Sequence, residues 1–321
     1  MKNVFVTGGS GFVGKRLIAR LRDMNAHVVA LVRTDKAAAV EALGVSACRG
    51  DLQDETALTK SMQGCDTVFH IAGHLSEWDP HALFREVNVA GTRTMLAAAK
   101  AARASTFIAA GAAAVVMGRP KPMRDVTEDA TLQGPSWAPY IATKAEADEM
   151  VRQANTAAFR TIVVRPPLIW GEGMPMLDAM VETAKAGHFA LPDGGGQVMS
   201  TSHVDNVVAC LLLAAEKGRG GQAYHVSDGQ AGTLQQVIAD LLGTRGVPPV
   251  QRSAPFGIAW RMAAVMETVW RLFRLRSKPP ITRQTLRLIG QDFTLDISKA
   301  RNDLGYTPVV TWAEGIARMR G

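Results

Sequence analysis

Cysteine is scarce in this sequence: Cys48, Cys65 and Cys210 are the three in 321 residues. They are too few and too scattered for a disulfide scaffold or a cysteine-rich zinc site. Each lies in or beside an apolar run and reads as a buried thiol, which is compatible with a reducing compartment. Nor is a leader expected. The chain begins MKNVFVTGG, a strand and a glycine turn at once, leaving no room for the charged and apolar regions of a signal peptide, so a cytoplasmic protein is expected. The formal charge of +7 comes with no basic tail, zinc-finger spacing or RNA-type aromatic signature, and nucleic acid is not an expected partner. His203 and Asp205 have no third ligand at suitable spacing, and no metal is expected.

What is present is a globular chain. A hydrophobic content of 47% suits an extensive core, and the length fits one large domain or two intimately joined ones. Val4, Phe5 and Val6 form a short apolar run, followed by Thr7-Gly8-Gly9-Ser10-Gly11 and a helical pattern from Phe12 to Arg22. Further strands are predicted at 27–32, 45–48, 68–71, 107–110 and 161–164, with helices at 81–102 and 144–154. Strands and helices alternating at this spacing predict an α/β fold, a doubly wound parallel sheet of Rossmann type. Past Pro166-Pro167 the pattern changes, and glycine-rich stretches bracket a helix near 177–186. The expected organisation is a core over 1–170, rejoined by segments near 198–227, with a smaller, mostly helical substrate cap over 171–197 and 228–321.

Residues 256–275 alternate bulky apolar side chains with arginines. Arg261 and Glu267 inside this segment argue against a membrane span. It reads as a helix packed on the cap and stopped by Pro279-Pro280. Trp260 and Trp270, with Arg261, Arg271, Arg274, Arg276 and Lys278, also suit a peripheral membrane contact or the edge of a lipidic-substrate site.

The glycine turn carries the clearest chemistry, because it stands between a buried strand and a helix. Gly8 permits the turn, Gly11 lets phosphate oxygens approach the backbone, and Gly14 lets the helix pack on the sheet. The helix N-terminus then offers free N–H groups and a positive dipole end to a dinucleotide pyrophosphate. After the second strand an acidic residue would select NAD, but the chain reads Leu31-Val32-Arg33-Thr34. Arg33, helped by Thr34 or Lys36, can neutralise a 2′-phosphate, so NADP is the expected cofactor, with NAD still open. Asp51, in Asp51-Leu52, can accept from the adenine amine or simply cap its loop.

Tyr140 and Lys144 are four apart at the start of a helical pattern and can face one cleft. An ammonium near a phenol lowers the phenol's pKa, and Tyr140 would then exchange a proton with a carbonyl or alcohol while the cofactor carries hydride. With the glycine turn upstream, the chain resembles the extended short-chain dehydrogenase/reductase superfamily across nearly its full length. The matching segments are TGGSGFVG at Thr7–Gly14, GDL at Gly50–Leu52, FHIAG at Phe69–Gly73, NVAGT at Asn88–Thr92, YIATK at Tyr140–Lys144 and RPPLIWG at Arg165–Gly171. HVDNV at His203–Val207 and DISKARNDLGY at Asp296–Tyr306 extend the likeness.

The resemblance implies Tyr140 as acid/base, Lys144 as the residue that orients ribose and tunes Tyr140, and Asn88 in the helix supporting the site and its proton relay. It also implies cofactor contacts from Thr7, Gly8, Gly11, Phe12, Val13 and Gly14 in the turn. Arg33, Asp51, Leu52, Ala72, Tyr140, Lys144, Pro167 and Ile169 would complete them. Within the superfamily the chain is most similar to the 3β-hydroxysteroid dehydrogenase and dihydroflavonol-reductase-like branches. That points to a bulky, hydrophobic carbonyl or secondary alcohol as the small-molecule substrate, and to a homodimer.

One departure matters. The family places a Ser or Thr donor after the fifth strand, where this chain has Ala109-Ala110-Gly111-Ala112-Ala113-Ala114, and Ala113 is the matching position. Ser76 or Ser136 could replace the hydroxyl, or the substrate could bring its own donor. The alternatives to an oxidoreductase are a nucleotide-sugar epimerase or dehydratase, and a weakly active NAD(P)-binding regulatory protein. His70 reads as structural and His74 as a loop contact for substrate. Trp78, Trp137, Trp170 and Met174 either line the pocket or pack between domains.

Overall fold

A strand covered on both faces must be apolar throughout, and Val4, Phe5 and Val6 are fully buried in β1 (Asn3–Thr7). The computed structural model describes residues 1–33, 37–275 and 277–320. The next strands are β2 (His27–Val32), β3 (Ser46–Arg49), β4 (Thr67–His70), β5 (Thr106–Ala110), β6 (Met123–Val126) and β7 (Arg160–Arg165). They are followed by β8 (Leu168–Trp170), β9 (Leu191–Pro192), β10 (Val198–His203) and β11 (Gln222–His225). The last three are β12 (Ala231–Thr233), β13 (Ser253–Ala254) and β14 (Phe293–Leu295). Seven of these form one sheet in the order β11-β7-β5-β4-β1-β2-β3, every pairing parallel. The direction of winding reverses between β1 and β4, which opens a crevice at the carboxyl ends of those strands.

Helices cover both faces. They are α1 (Phe12–Asp23), α2 (Ala37–Glu41), α3 (Glu55–Ser61), α4 (His81–Phe84), α5 (Gly91–Ala101) and α6 (Pro139–Gln153), then α7 (Leu177–Lys185) and α8 (Val204–Lys217). Leu17, Ile18 and Leu21 of α1 join Val207 and Leu211 of α8 on one face. Leu58, Met95, Leu96 and Val151, from α3, α5 and α6, cover the other. A π-helical turn at Arg85–Ala90 interrupts what the sequence pattern suggests is one helix from 81 to 102.

The cap carries more strand than its sequence pattern suggests. β12-β10-β14-β6 form a second sheet, with β8 paired to β10. The segment 198–203 therefore builds the cap sheet, whereas 222–225 takes the edge of the main sheet. β6 leaves the first 170 residues to lie beside β14, with Met123 opposite Phe293. Around this sheet pack α7, α9 (Leu234–Gly243) and α13 (Trp312–Arg320). α10 (Phe256–Leu272) leans on α11 (Arg283–Ile289) through Ala259, Ala263 and Leu286. α12 (Ser298–Leu304) returns to the main core through Ala300 and Leu304.

One polar lock sets α6 on the sheet. Arg165 of β7 meets Asp148 of α6 in two bonds, Nε to Oδ2 at 2.7 Å and a terminal nitrogen to Oδ1 at 2.8 Å, and both side chains are buried. Arg152 adds a bond to Oδ1 at 2.9 Å, and Arg165 also donates to the Glu128 carbonyl. Removing one partner strands the other charge, at roughly 3–5 kcal/mol. Asp148→Asn is expected to lower the unfolding free energy by about 3 kcal/mol in urea titration; a loss below about 1 kcal/mol would show that the pair does not hold α6.

Candidate active site

The glycine turn is built for close approach. Gly8 has φ +70°, and a Cβ there would lie 2.8 Å from the Ala72 nitrogen; a Cβ on Gly14 would lie 2.1 Å from the Gly8 oxygen. Gly11 enters α1 in extended geometry with no side-chain cap, and the first turn holds no acidic residue. Its N–H groups and positive end face the crevice over a surface kept bare of side chains, a cradle that fits a diphosphate. Val13 packs into the main core, and Phe12 reaches across to the cap cluster.

A polar chain forms the crevice floor. The Ala72 nitrogen donates to Thr7 Oγ1 at 3.1 Å, and Thr7 Oγ1 lies 2.9 Å from His70 Nδ1. His70 Nε2 lies 3.0 Å from Thr92 Oγ1, which gives its own proton to the Asn88 carbonyl. Thr92 can then only accept from the ring, so His70 carries its proton on Nε2 and Thr7 donates to Nδ1. Burial, with the Lys144 charge nearby, pushes His70 down to about 3. It is a neutral structural group.

Other expected cofactor residues are more loosely placed. Arg33 is exposed just past β2, while Thr34 and Lys36 lie outside the described residues. Asp51 is exposed and accepts from the Gln53 nitrogen at 2.9 Å, a local turn. Leu52 abuts Gly91. Pro167 and Ile169 are half-buried at the start of β8.

α6 starts at Pro139, whose fixed φ suits a first helical position, and has no side-chain cap of its own. Tyr140 is half-buried in its first turn, and burial pushes its phenol up to about 12. Lys144 donates to the Ala110 carbonyl at the end of β5, 2.6 Å away. Burial brings it down to about 8, with Asp148 pulling the other way. The depressed phenol expected from the Tyr–Lys spacing is thus not what the structure shows. The ammonium is turned to a carbonyl, and desolvation moves the phenol, already protonated at neutral pH, further from ionisation.

Asn88 sits in the π-helical turn and is almost fully buried. Its Oδ1 accepts from the His74 nitrogen at 2.7 Å, and its Nδ2 donates to the His74 carbonyl and to Thr143 Oγ1, both at 3.1 Å. It ties the loop after β4 to α6 between Tyr140 and Lys144. A Cβ on Gly73 would lie 3.5 Å from Asn88 Oδ1 and 3.7 Å from Lys144 Nζ, so the structure brings these three together.

Two residues escaped the sequence reading. Gln284, on α11 and buried, accepts from the Tyr140 nitrogen at 3.0 Å and donates to the Ser76 carbonyl at 2.8 Å. It caps α6 from the cap domain, and the only hint in the sequence was a helix start lacking a Ser, Thr, Asp or Asn. Asp228 accepts from Trp170 Nε1, Thr201 Oγ1, the His203 nitrogen and Asn206 Nδ2 at 2.6–2.7 Å. Trp170, edge-on to His203 and tilted against Trp312, and Met174 in the cap core are therefore packing residues. His203 accepts from the Asp205 nitrogen at the start of α8, and the described residues contain no metal-binding group. His74 is paired with Asp79 at 2.8 Å.

Ala113 is fully buried, and its nitrogen donates to the Pro166 carbonyl at 2.8 Å. Ser136 is exposed. Ser76 Oγ accepts from the Trp78 nitrogen in a loop bordering a hollow of about 320 Å³ lined by Ser76, Glu77, Trp78, Asp79 and Lys278.

A bare glycine cradle at the winding switch, with a tyrosine and lysine on the neighbouring helix, defines an enzyme of the extended short-chain dehydrogenase/reductase type with a Rossmann core. More particularly, the chain belongs to the NAD dependent epimerase/dehydratase family, whose model matches residues 4–227. It is 38% identical over 318 residues to a 4-hydroxy-2-methyl-3-oxo-4-farnesyl-3,4-dihydroquinoline-1-oxide ketoreductase of Stigmatella aurantiaca, covering 98% of this chain and 95% of the relative. It is 32% identical to a 2-alkyl-3-oxoalkanoate reductase of Stenotrophomonas maltophilia (strain K279a), covering 99% and 98%. The crystal structure of gox2253 superposes with a TM-score of 0.80 at 25% identity, covering 100% of this chain and 98% of that one.

The cradle makes a direct prediction. A Cβ at Gly11 would meet only the Gly8 oxygen, at 3.2 Å, so Gly11→Ala should fold. It should weaken NADPH and NADH binding alike by about tenfold in a fluorescence titration; unchanged affinity for both would remove the diphosphate from this turn.

Proposed function

We propose that the protein is an NADPH-linked ketoreductase acting on a bulky, hydrophobic carbonyl compound. Tyr140 carries the reading: a phenol that is protonated at neutral pH, in the first turn of α6 and one turn before Lys144, whose ammonium reaches the end of β5. Arg33, exposed just past β2, supports the phosphorylated cofactor. The two relatives named above are a ketoreductase and a 3-oxoacid reductase, which supports a ketone with a long apolar body.

The bound nicotinamide would supply hydride to the carbonyl carbon. Tyr140 then gives its proton to the carbonyl oxygen, the C=O bond becomes a secondary alcohol, and the phenolate takes a proton back from solvent. Lys144, charged below about pH 8, would hold the ribose hydroxyls of the bound cofactor and offset the phenolate charge. Asn88 keeps the loop at His74 and α6 in register, and Gln284 holds the Tyr140 end of the helix to the cap.

Ala113 favours a second reading, a nucleotide-dependent sensor with little turnover. Loss of one donor to a developing oxyanion costs about 10²- to 10³-fold, so the two readings separate by measurement. NADPH oxidation with 2-alkyl-3-oxo esters is expected to exceed NADH oxidation by about tenfold in kcat/KM and to fall above about pH 8 as Lys144 loses its charge. Tyr140→Phe is expected to lower it about 10²- to 10⁴-fold. A preference for NADH would overturn the role of Arg33, and absent turnover with intact NADPH binding would favour the sensor.

A gain-of-function variant tests the missing hydroxyl. Ala113→Ser is expected to raise kcat about 10²-fold; an unchanged kcat in a folded variant would show that another group meets the substrate oxygen.

A further inference from the structure

α10 has two faces with opposite fates. Its inner face, Ala259, Ala263 and Glu267, is buried against α11, with Trp260 stacked on Phe256 and edge-on to Trp137. Its outer face carries Ile258, Met262, Val265, Val269 and Leu272, spaced four and three apart and so aligned in one stripe along 17 residues, about 25 Å. Phe273 continues it. Val265, Leu272 and Phe273 are 64%, 73% and 67% exposed, and no helix of the described residues is long and apolar enough to cross a membrane. Isolated exposed apolar residues are ordinary, but a continuous stripe marks an interaction surface.

We propose that this face of α10 docks on an anionic lipid bilayer, with the helix lying in the interface plane. Charge selects this occupant. Arg261 and Arg274 are exposed beside the stripe, and their long stems can lie along acyl chains while the guanidinium groups reach lipid phosphates. A second copy of the chain would bring cations against cations. The sole carboxylate of α10, Glu267, is buried and held by Arg283 through Oε2 at 2.7 and 2.8 Å, leaving none to answer a partner's arginines. The side of the helix away from the stripe leans on the loop after β4: Arg271 lies over the Trp78 ring and, just past the helix, Lys278 pairs with Glu77 at 2.6 Å, on the loop that Gln284 fastens to Tyr140.

The test is co-sedimentation of the intact protein with vesicles, without substrate, so that it stands apart from the ketoreductase reading. Equimolar phosphatidylcholine and phosphatidylglycerol vesicles should carry the protein down, less so as salt rises, and pure phosphatidylcholine vesicles should carry about tenfold less. Val265→Asp with Leu272→Asp should reduce binding to the mixed vesicles by about tenfold, with NADPH affinity and Tm unchanged. Arg261→Gln with Arg274→Gln should reduce it while leaving the salt-resistant fraction. Failure of the wild type to sediment with the mixed vesicles would overturn the proposal. So would a halving of the light-scattering mass in the Val265→Asp, Leu272→Asp variant, which would assign the stripe to a second copy.

Discussion

Asp148 carries its charge on the buried side of α6, and Arg165 answers it from the neighbouring strand with two aligned bonds. That pair fixes both the rotation and the height of α6 on the sheet. Tyr140, Lys144 and Asp148 fall four apart, so locking the last of them sets the direction of the other two. The same carboxylate partly restores the charge on Lys144 that burial removes. Were α6 free to roll, desolvation alone would settle both titrations, and the phenol and the amine would no longer share one crevice.

The remaining polar contacts distribute this constraint. Asn88 joins the loop after β4 to Thr143 on α6, Gln284 joins that loop and Tyr140 to the cap, and Asp228 draws β8, β10 and the start of α8 onto one carboxylate. Each is a buried polar side chain with its bonds satisfied, the condition under which such groups specify a single arrangement. The crevice is therefore held from three sides by groups that need not touch a substrate. The glycine turn needs none of them: its geometry follows from missing side chains at Gly8 and Gly14 and from the bare end of α1.

This difference explains what could be read from the sequence. The turn, the main-sheet strands from β1 to β7 and the Tyr140–Lys144 pair are local patterns, in which an apolar run, a glycine spacing or an interval of four residues suffices. The cap sheet is not local. β6 pairs with β14 across some 170 residues, Met123 against Phe293, and strands of three or four residues leave too short a period to recognise. Gln284 and Asp228 were invisible for the same reason, since an ordinary glutamine or aspartate becomes a cap or a hub only through what tertiary folding places beside it. The phenol's acidity is not legible in the spacing, which gives proximity along a helix, while the burial that dominates Tyr140 and the turn of Lys144 toward Ala110 are properties of the assembled site.

On the ketoreductase reading, Ala113 and a long apolar substrate are linked by magnitude. Loss of one oxyanion donor removes about 3 to 4 kcal/mol of transition-state stabilisation. At about 25 cal/mol per Å², roughly 120–160 Å² of additional apolar contact offsets that amount, the equivalent of some four or five methylene groups. The segment that carries Ala113 is apolar throughout, since Ala112, Ala113, Ala114, Val115 and Met117 are buried side chains in one cluster with Tyr140. Contact with an alkyl body is felt equally by the bound substrate and the transition state, so it restores kcat/KM and leaves kcat low. An enzyme arranged in this way works best on substrates too insoluble to be abundant in water, where tight capture matters more than rapid turnover.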